Sequence, residues 1–199
     1  MALTTYDDLK TAIANWSHRA DLTPVMDDLV TIAESWIFRN VRIREMEAAL
    51  SATIVGVTAA VPSDFLGLRN AYIDASRRHA LEVVAPDMIY KAFPFSESGT
   101  PKYIAVDRTS FVFGPSPSSA YTVNGTYFAK PTAIATAVNS IFAAHPEIYL
   151  FAALSELEAY TENDARILLW QSKRDELTRA ANGNATAARF SGPMTMKAC

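Results

Sequence analysis

A chain of 199 residues, half of them hydrophobic and 11% aromatic, can bury a sizeable core, which excludes global disorder. Its formal charge is −3 and its 18 Lys and Arg are scattered, so it lacks the basic stripe of a free-standing DNA binder. The single cysteine, Cys199, excludes an intrachain disulfide framework and a cysteine-based zinc site.

Mean hydropathy of +0.06 is high for a soluble monomer, so part of the apolar surface is expected to be covered by copies of the chain or by partners. The longest unbroken apolar run, Ile148–Leu154, is far shorter than the ~20 residues of a membrane span. The start, MALTTYDDLK, is polar and acidic, unlike a secretory signal. These features predict a soluble protein of a reducing compartment with no membrane partner.

Thr5 and Asp8 have the spacing of a capping box, and Tyr6, Leu9, Ile13 and Trp16 follow at helical period, predicting a helix over about 5–17. Thr23 as cap, Pro24 at the first position and Asp27 and Asp28 in the first turn predict a second helix over about 24–44. Leu29, Ile32, Ala33, Trp36 and Ile37 are its expected buried stripe, and Arg39, Arg42 and Arg44 suit the negative end of its dipole. The short joint implies an αα-hairpin.

Near Met46 the period changes. MEAALSATIVGVTAAVP reads as two short strands about a turn at Gly56, and Leu66–Ile73 as a strand. Pro86 and Asp87 open a short helix within 85–93, and Phe93–Gly99 reads as a loop. Lys102–Val106 and Ser110–Phe113 form a predicted hairpin across Asp107-Arg108-Thr109. GPSPSS reads as a stiff loop, Tyr121–Ala129 as a strand in which Asn124-Gly125 marks a bulge or turn, and Ala133–Asn139 as a connector.

Pro146 opens a helix over about 146–161, apolar all round at Ile148–Leu154, as in a helix at the centre of a core or between subunits. Thr161 and Asp164 resemble another capping box for a helix over about 164–182. It carries Ile167, Leu168, Trp170 and Leu177, and Asn182-Gly183 is its expected stop. Residues 184–199 show no helical period.

No stretch carries recognisable catalytic chemistry. His18, His79 and His145 have no metal-ligand spacing, and His145 before Pro146 reads as a helix cap. Glu156 and Glu158, two apart on one helix, point in different directions. Trp16, Trp36 and Trp170 lie on helical stripes and read as core. In the tail, Arg189, Phe190, Met194, Met196 and Lys197 set apolar and basic residues in an aperiodic stretch. That stretch is either a frayed end or an arm that orders on a partner.

The order of segments resembles the head–tail connector (adaptor, head-completion) proteins of tailed bacteriophages. The residues carrying the resemblance are TYDDLKTAIANW, LVTIAESWIFRNVRIREME, PSDFLGLRNAYI, PKYIAVDRTSFVFGPSP, YTVNGTYFAKP, HPEIYLFAALSELEAYTEND and the late FSG, from about Thr5 to Gly192. The resemblance implies an α+β fold: an antiparallel helical bundle with a β-rich insertion over about 46–131, between the second helix and the two C-terminal helices. It gives a single domain over 1–183, followed by an extended tail at 184–199. It further implies a structural protein with no catalytic residues and no cofactor, in a homo-oligomeric ring of typically twelve copies in the virion neck, assembled in the host cytoplasm. The ring would bind the portal protein, offer a surface to the tail or nozzle protein and pass genomic DNA without sequence-specific binding. The tail, with Arg189, Phe190, Met194, Met196 and Lys197, would dock on the portal. Two alternatives are a virion-borne peptidoglycan hydrolase using paired carboxylates and a small cytosolic interaction module.

Overall fold

The computed structural model describes residues 3–54, 56–74, 77–93, 98–162 and 164–189. The fold is mixed α+β, and the chain divides into two compact units, residues 1–46 with 131–199 and residues 47–130.

The first unit is helical. Helix α1, Tyr6–Ser17, starts at the capping box: the Thr5 hydroxyl accepts from the Asp8 amide at 3.1 Å and Asp8 Oδ2 accepts from the Thr5 amide at 3.0 Å. A 3-10 turn, Ala20–Val25, precedes helix α2, Met26–Asn40. The expected start at Pro24 is thus displaced. Thr23 is not the cap, because its hydroxyl donates back to the Ala20 carbonyl at 2.8 Å. The helix also ends at Asn40, four residues before the expected end at Arg44. Val41 is extended, and Val41 and Ile43 are both buried on alternate positions, a pattern that a helix would break. The Arg42 amide donates instead to Asn182 Oδ1 at 2.8 Å.

After the second unit, the connector is pinned rather than loose. Buried Glu34 accepts from the Ile134 amide at 2.8 Å, and Asn139 bonds the Thr132 carbonyl and the buried Tyr149 hydroxyl. Asn139 also caps a short helix that its sequence does not advertise, α4, Ser140–Ala144, following α3 of the second unit (Pro86–Ala92). Helix α5, Pro146–Tyr160, is buried on all sides through Ile148, Tyr149, Leu150, Ala153, Leu154 and Leu157, and packs against α1, α2 and α6. Each such large apolar side chain stabilises the unit by about 1.5–3 kcal/mol.

Helix α6, Asp164–Arg189, continues through the expected stop at Gly183. Gly183 does not take the left-handed conformation of a C-cap, and Ala181 and Ala185 are buried on either side of it. Its inward stripe is Arg174, Thr178, Ala181 and Ala185, while Leu168 is 71% exposed. Thr161 does not open α6. It ends α5, with its hydroxyl turned to the Glu158 carbonyl.

The second unit is a curled seven-stranded sheet with the order β1-β9-β3-β4-β6-β7-β2. The strands are β1 Glu47–Thr53, β2 Thr58–Ala60, β3 Phe65–Asp74, β4 Arg78–Val83, β6 Tyr103–Asp107, β7 Ser110–Gly114 and β9 Thr122–Ala129. Two short strands, β5 Ser98–Gly99 and β8 Ser116–Pro117, pair separately. All seven strands feed one core, including Leu50, Ala59, Ile73, Leu81, Ile104, Phe111 and Val123, so the sheet wraps around it. Strands β4 and β6 are parallel, and α3 lies in their connection. Ile89 of α3 packs on Ala105 and Val112.

The predicted hairpin is present. Asp107 pairs with Ser110 around Arg108-Thr109, with Arg108 left-handed at φ 54°. Asn124-Gly125 does not interrupt its strand. The irregularity lies opposite, on β3, where register shifts between Phe65 and Gly67 and between Leu68 and Asn70. Gly125 permits it: a Cβ there would sit 2.2 Å from the Asn70 carbonyl oxygen.

Candidate functional site

The helical unit has a groove of about 920 Å³ between α2 and α6, lined among others by Trp36, Asn40, Arg174, Asp175, Arg179 and Asn182. Its walls are locked by polar contacts. The Arg174 guanidinium lies 3.9 Å from the centre of the Trp36 ring and donates to Asp175 at 2.9 Å. Asn182 accepts from the Arg42 amide and donates to the Asn40 carbonyl at 3.0 Å, which ties the end of α2 to α6. The buried hydroxyl of Thr178 has no hydrogen-bond partner among the described residues.

Basic residues gather at the end of α2, and Arg179 of α6 lines the groove together with the exposed Asp175. Arg39 and Arg179 are exposed, and Arg44 is 76% exposed with Glu45 at 3.8 Å. Burial pulls the Arg42 guanidinium below its usual range. At the other end of α2 the sign reverses. Asp7 and Asp8 open α1, and Asp27 and Asp28 open α2. Lys10 Nζ lies 3.6 Å from Asp7 and 3.4 Å from Asp27, so the two helix starts form one acidic edge. The Tyr6 hydroxyl donates to Asp27 at 2.7 Å. That bond, with help from Lys10, holds Asp27 below the usual carboxylate range, and burial and then Asp27 push the Tyr6 phenol upward.

The three tryptophans are not core residues as expected. Trp16 is 47% exposed, and Trp36 and Trp170 are half-buried. The Trp36 ring packs under the Arg174 guanidinium of α6. Trp16, Phe151 and Trp170 form a cluster with centroids 5.6–5.8 Å apart. Ile32, expected on the buried stripe of α2, is likewise 50% exposed.

The histidines are dispersed. His18 ends α1, His79 is exposed on β4, and His145 is the cap residue of α5, with its side chain on Glu147 at 3.2 Å. Glu158 is buried beside Arg166 at 3.6 Å, whereas Glu156 is half-buried. Among the described residues no group of His, Cys, Asp and Glu could hold a metal. No helix among them is long and apolar enough to cross a membrane. Of the docking residues expected in the tail, Arg189 is the last residue of α6. Phe190, Met194, Met196 and Lys197 lie outside the described residues.

The chain matches the family described as SU10 adaptor protein over residues 4–197, nearly its whole length. It belongs to that family of phage head–tail adaptors. No curated protein matches the chain. The match covers both units of this adaptor, the helical one and the curled sheet. The groove and the two charged edges were missed by sequence reasoning. Arg39, Arg42 and Arg44 were visible as a cluster, but nothing in their spacing shows that Arg179 lines a groove against α2.

Proposed function

We propose that this adaptor is a structural element of the virion neck. In this reading copies form a ring, twelve by the family's pattern, that binds the portal vertex, extends the DNA channel and offers a surface to the tail or nozzle protein. The helical unit serves as an antiparallel bundle around α5, and the second unit is its β-rich insertion. DNA passes without sequence-specific contact, consistent with the net charge of −3. The segment 184–199 docks on the portal through Arg189, Phe190, Met194, Met196 and Lys197.

The family match over residues 4–197 carries this reading. Exposed apolar side chains, among them Trp16, Tyr160, Leu168 and Leu169, support it as surface suited to other chains. The test is electron microscopy and native mass spectrometry of the adaptor with its cognate portal. A ring seated on the portal is expected. A chain that stays monomeric and ignores the portal defeats the proposal. Removing residues 190–199 leaves α6 whole and is expected to weaken portal assembly. Unchanged assembly removes the docking role of the tail.

A further inference from the structure

The helical unit carries complementary charge at its two ends. The groove between α2 and α6 has Arg174 and Arg179 on its wall against a single carboxylate, Asp175, which is taken up by Arg174 at 2.9 Å; Arg39 precedes the lining residue Asn40 in sequence, and the buried Thr178 hydroxyl has no partner among the described residues. The acidic edge holds Asp7, 90% exposed, and Asp27, 68% exposed, with Asp28 exposed beside it. From Asp28 to Arg39 along α2 is about 17 Å at 1.5 Å per residue. Carboxylates at the start of α2 and guanidiniums at its end also follow its dipole, so both patches are stabilised where they stand. They are too far apart to neutralise each other within one molecule at physiological salt, where the screening length is about 8 Å.

We infer that the α2–α6 groove and its guanidinium rim receive the acidic edge of a second copy of this chain. The inference rests on the ring reading above and specifies which faces meet. The partner is identified by charge. Asp7, Asp27 and Asp28 supply carboxylates that Arg39 and Arg179 can bind, and the groove supplies the depth for a helix start. Two different patches of one molecule that fit each other make a heterologous contact. Such a contact continues from copy to copy, closing a ring where the rotation between copies closes and running on as a filament where it does not; the ring reading requires the first. An antiparallel pair, by contrast, would stop at two.

The experiment is sedimentation of the full chain across concentration in low and high salt, with two charge-reversed variants, Asp7→Lys/Asp28→Lys and Arg39→Glu/Arg179→Glu. Wild type is expected to associate beyond a dimer in low salt and to dissociate in high salt. Each variant alone is expected to lose at least about tenfold in association constant. An equimolar mixture of the two should associate again, because each supplies the edge the other lacks. Dichroism and tryptophan fluorescence check folding, and Asp7→Asn/Asp28→Asn replaces the first variant if it does not fold; its mixture with Arg39→Glu/Arg179→Glu rebuilds one of the two contacts and is then expected to form pairs. Wild type that stays monomeric in low salt, variants that associate like wild type, a mixture that stays apart, or wild-type association that halts at a dimer each overturn the inference. So does a loss of duplex-DNA binding on Arg39→Glu/Arg179→Glu with self-association unchanged, which would assign the basic edge to phosphates. Electron microscopy with the portal separates the two levels. Rings that form unchanged from the charge-reversed chains refute this contact alone, and no ring from wild type refutes the ring reading.

Discussion

Replacing Gly125 by alanine tests the close approach of β3 and β9. The added Cβ would stand 2.2 Å from the Asn70 oxygen and 2.9 Å from the Ala71 Cα. A carbon and a carbonyl oxygen meet without repulsion at about 3.3 Å, so β3 must retreat by about 1 Å. The neighbours are backbone atoms, so no side chain can rotate aside. Gly125 also pairs with Leu50 of β1, which blocks escape in the other direction. Two or three ladder hydrogen bonds near Asn70–Ala71 stretch or break at about 1 kcal/mol each. Overpacking adds about 1 kcal/mol, and the stiffer unfolded chain returns about 0.5 kcal/mol. The expected loss is about 3 kcal/mol, or a fall in urea midpoint of about 1.5 M at a slope of about 2 kcal/mol/M. Far-ultraviolet dichroism reads the sheet, while the three tryptophans, all in the helical unit, report that unit separately. Gly56→Ala is the control: φ is +68° and nothing lies within 4 Å of its Cβ, so only backbone strain of about 1 kcal/mol applies. A loss below about 1 kcal/mol at Gly125, or one equal to that at Gly56, refutes the close-approach argument.

Asn182→Ala removes the acceptor of the Arg42 amide and should destabilise the helical unit by about 1–2 kcal/mol, read as a lower denaturation midpoint in tryptophan fluorescence. Thr5→Ala should cost about 1 kcal/mol through loss of the α1 cap, whereas Thr5→Ser should cost little. Tyr6→Phe should raise the Asp27 pKa toward its ordinary value of about 3.9, measured by carboxyl NMR titration. Because the folded value is depressed, the stability Asp27 contributes is present above that ordinary value. It is lost as pH falls through the folded one, and the Tyr6→Phe protein should lack that acid-side loss. An unmoved Asp27 titration would mean that the Tyr6 bond is not the cause.

Local chemistry was legible where it decided structure alone. The Thr5–Asp8 box, the Arg108-Thr109 hairpin and the all-round apolar α5 follow from neighbouring residues, and each stands where its pattern points. Tertiary contacts moved the rest. Gly183 is helical because α6 continues against α5, and α2 stops at Asn40 because a side chain 140 positions away takes the Arg42 amide. Strand β4, Arg78–Val83, gave no signal: only Leu81 is buried, so it lacks the apolar alternation of a half-buried strand. The candidate site was less legible still. A groove is made by two helices distant in sequence, with Trp36 and Asn40 from one and Arg179 and Asn182 from the other.

The pairing of β1 with β9 bears on how such a chain could have been assembled. Glu47 and Phe128 are register partners, so the polypeptide enters the sheet unit and leaves it on adjacent antiparallel strands, roughly 5 Å apart. To the helices, 84 residues of sheet therefore present the same two closely spaced ends as a tight turn would. A cassette with that property can be lengthened, exchanged or lost with little demand on the helices that carry it. The helical unit and the sheet are thus free to answer to different selective pressures.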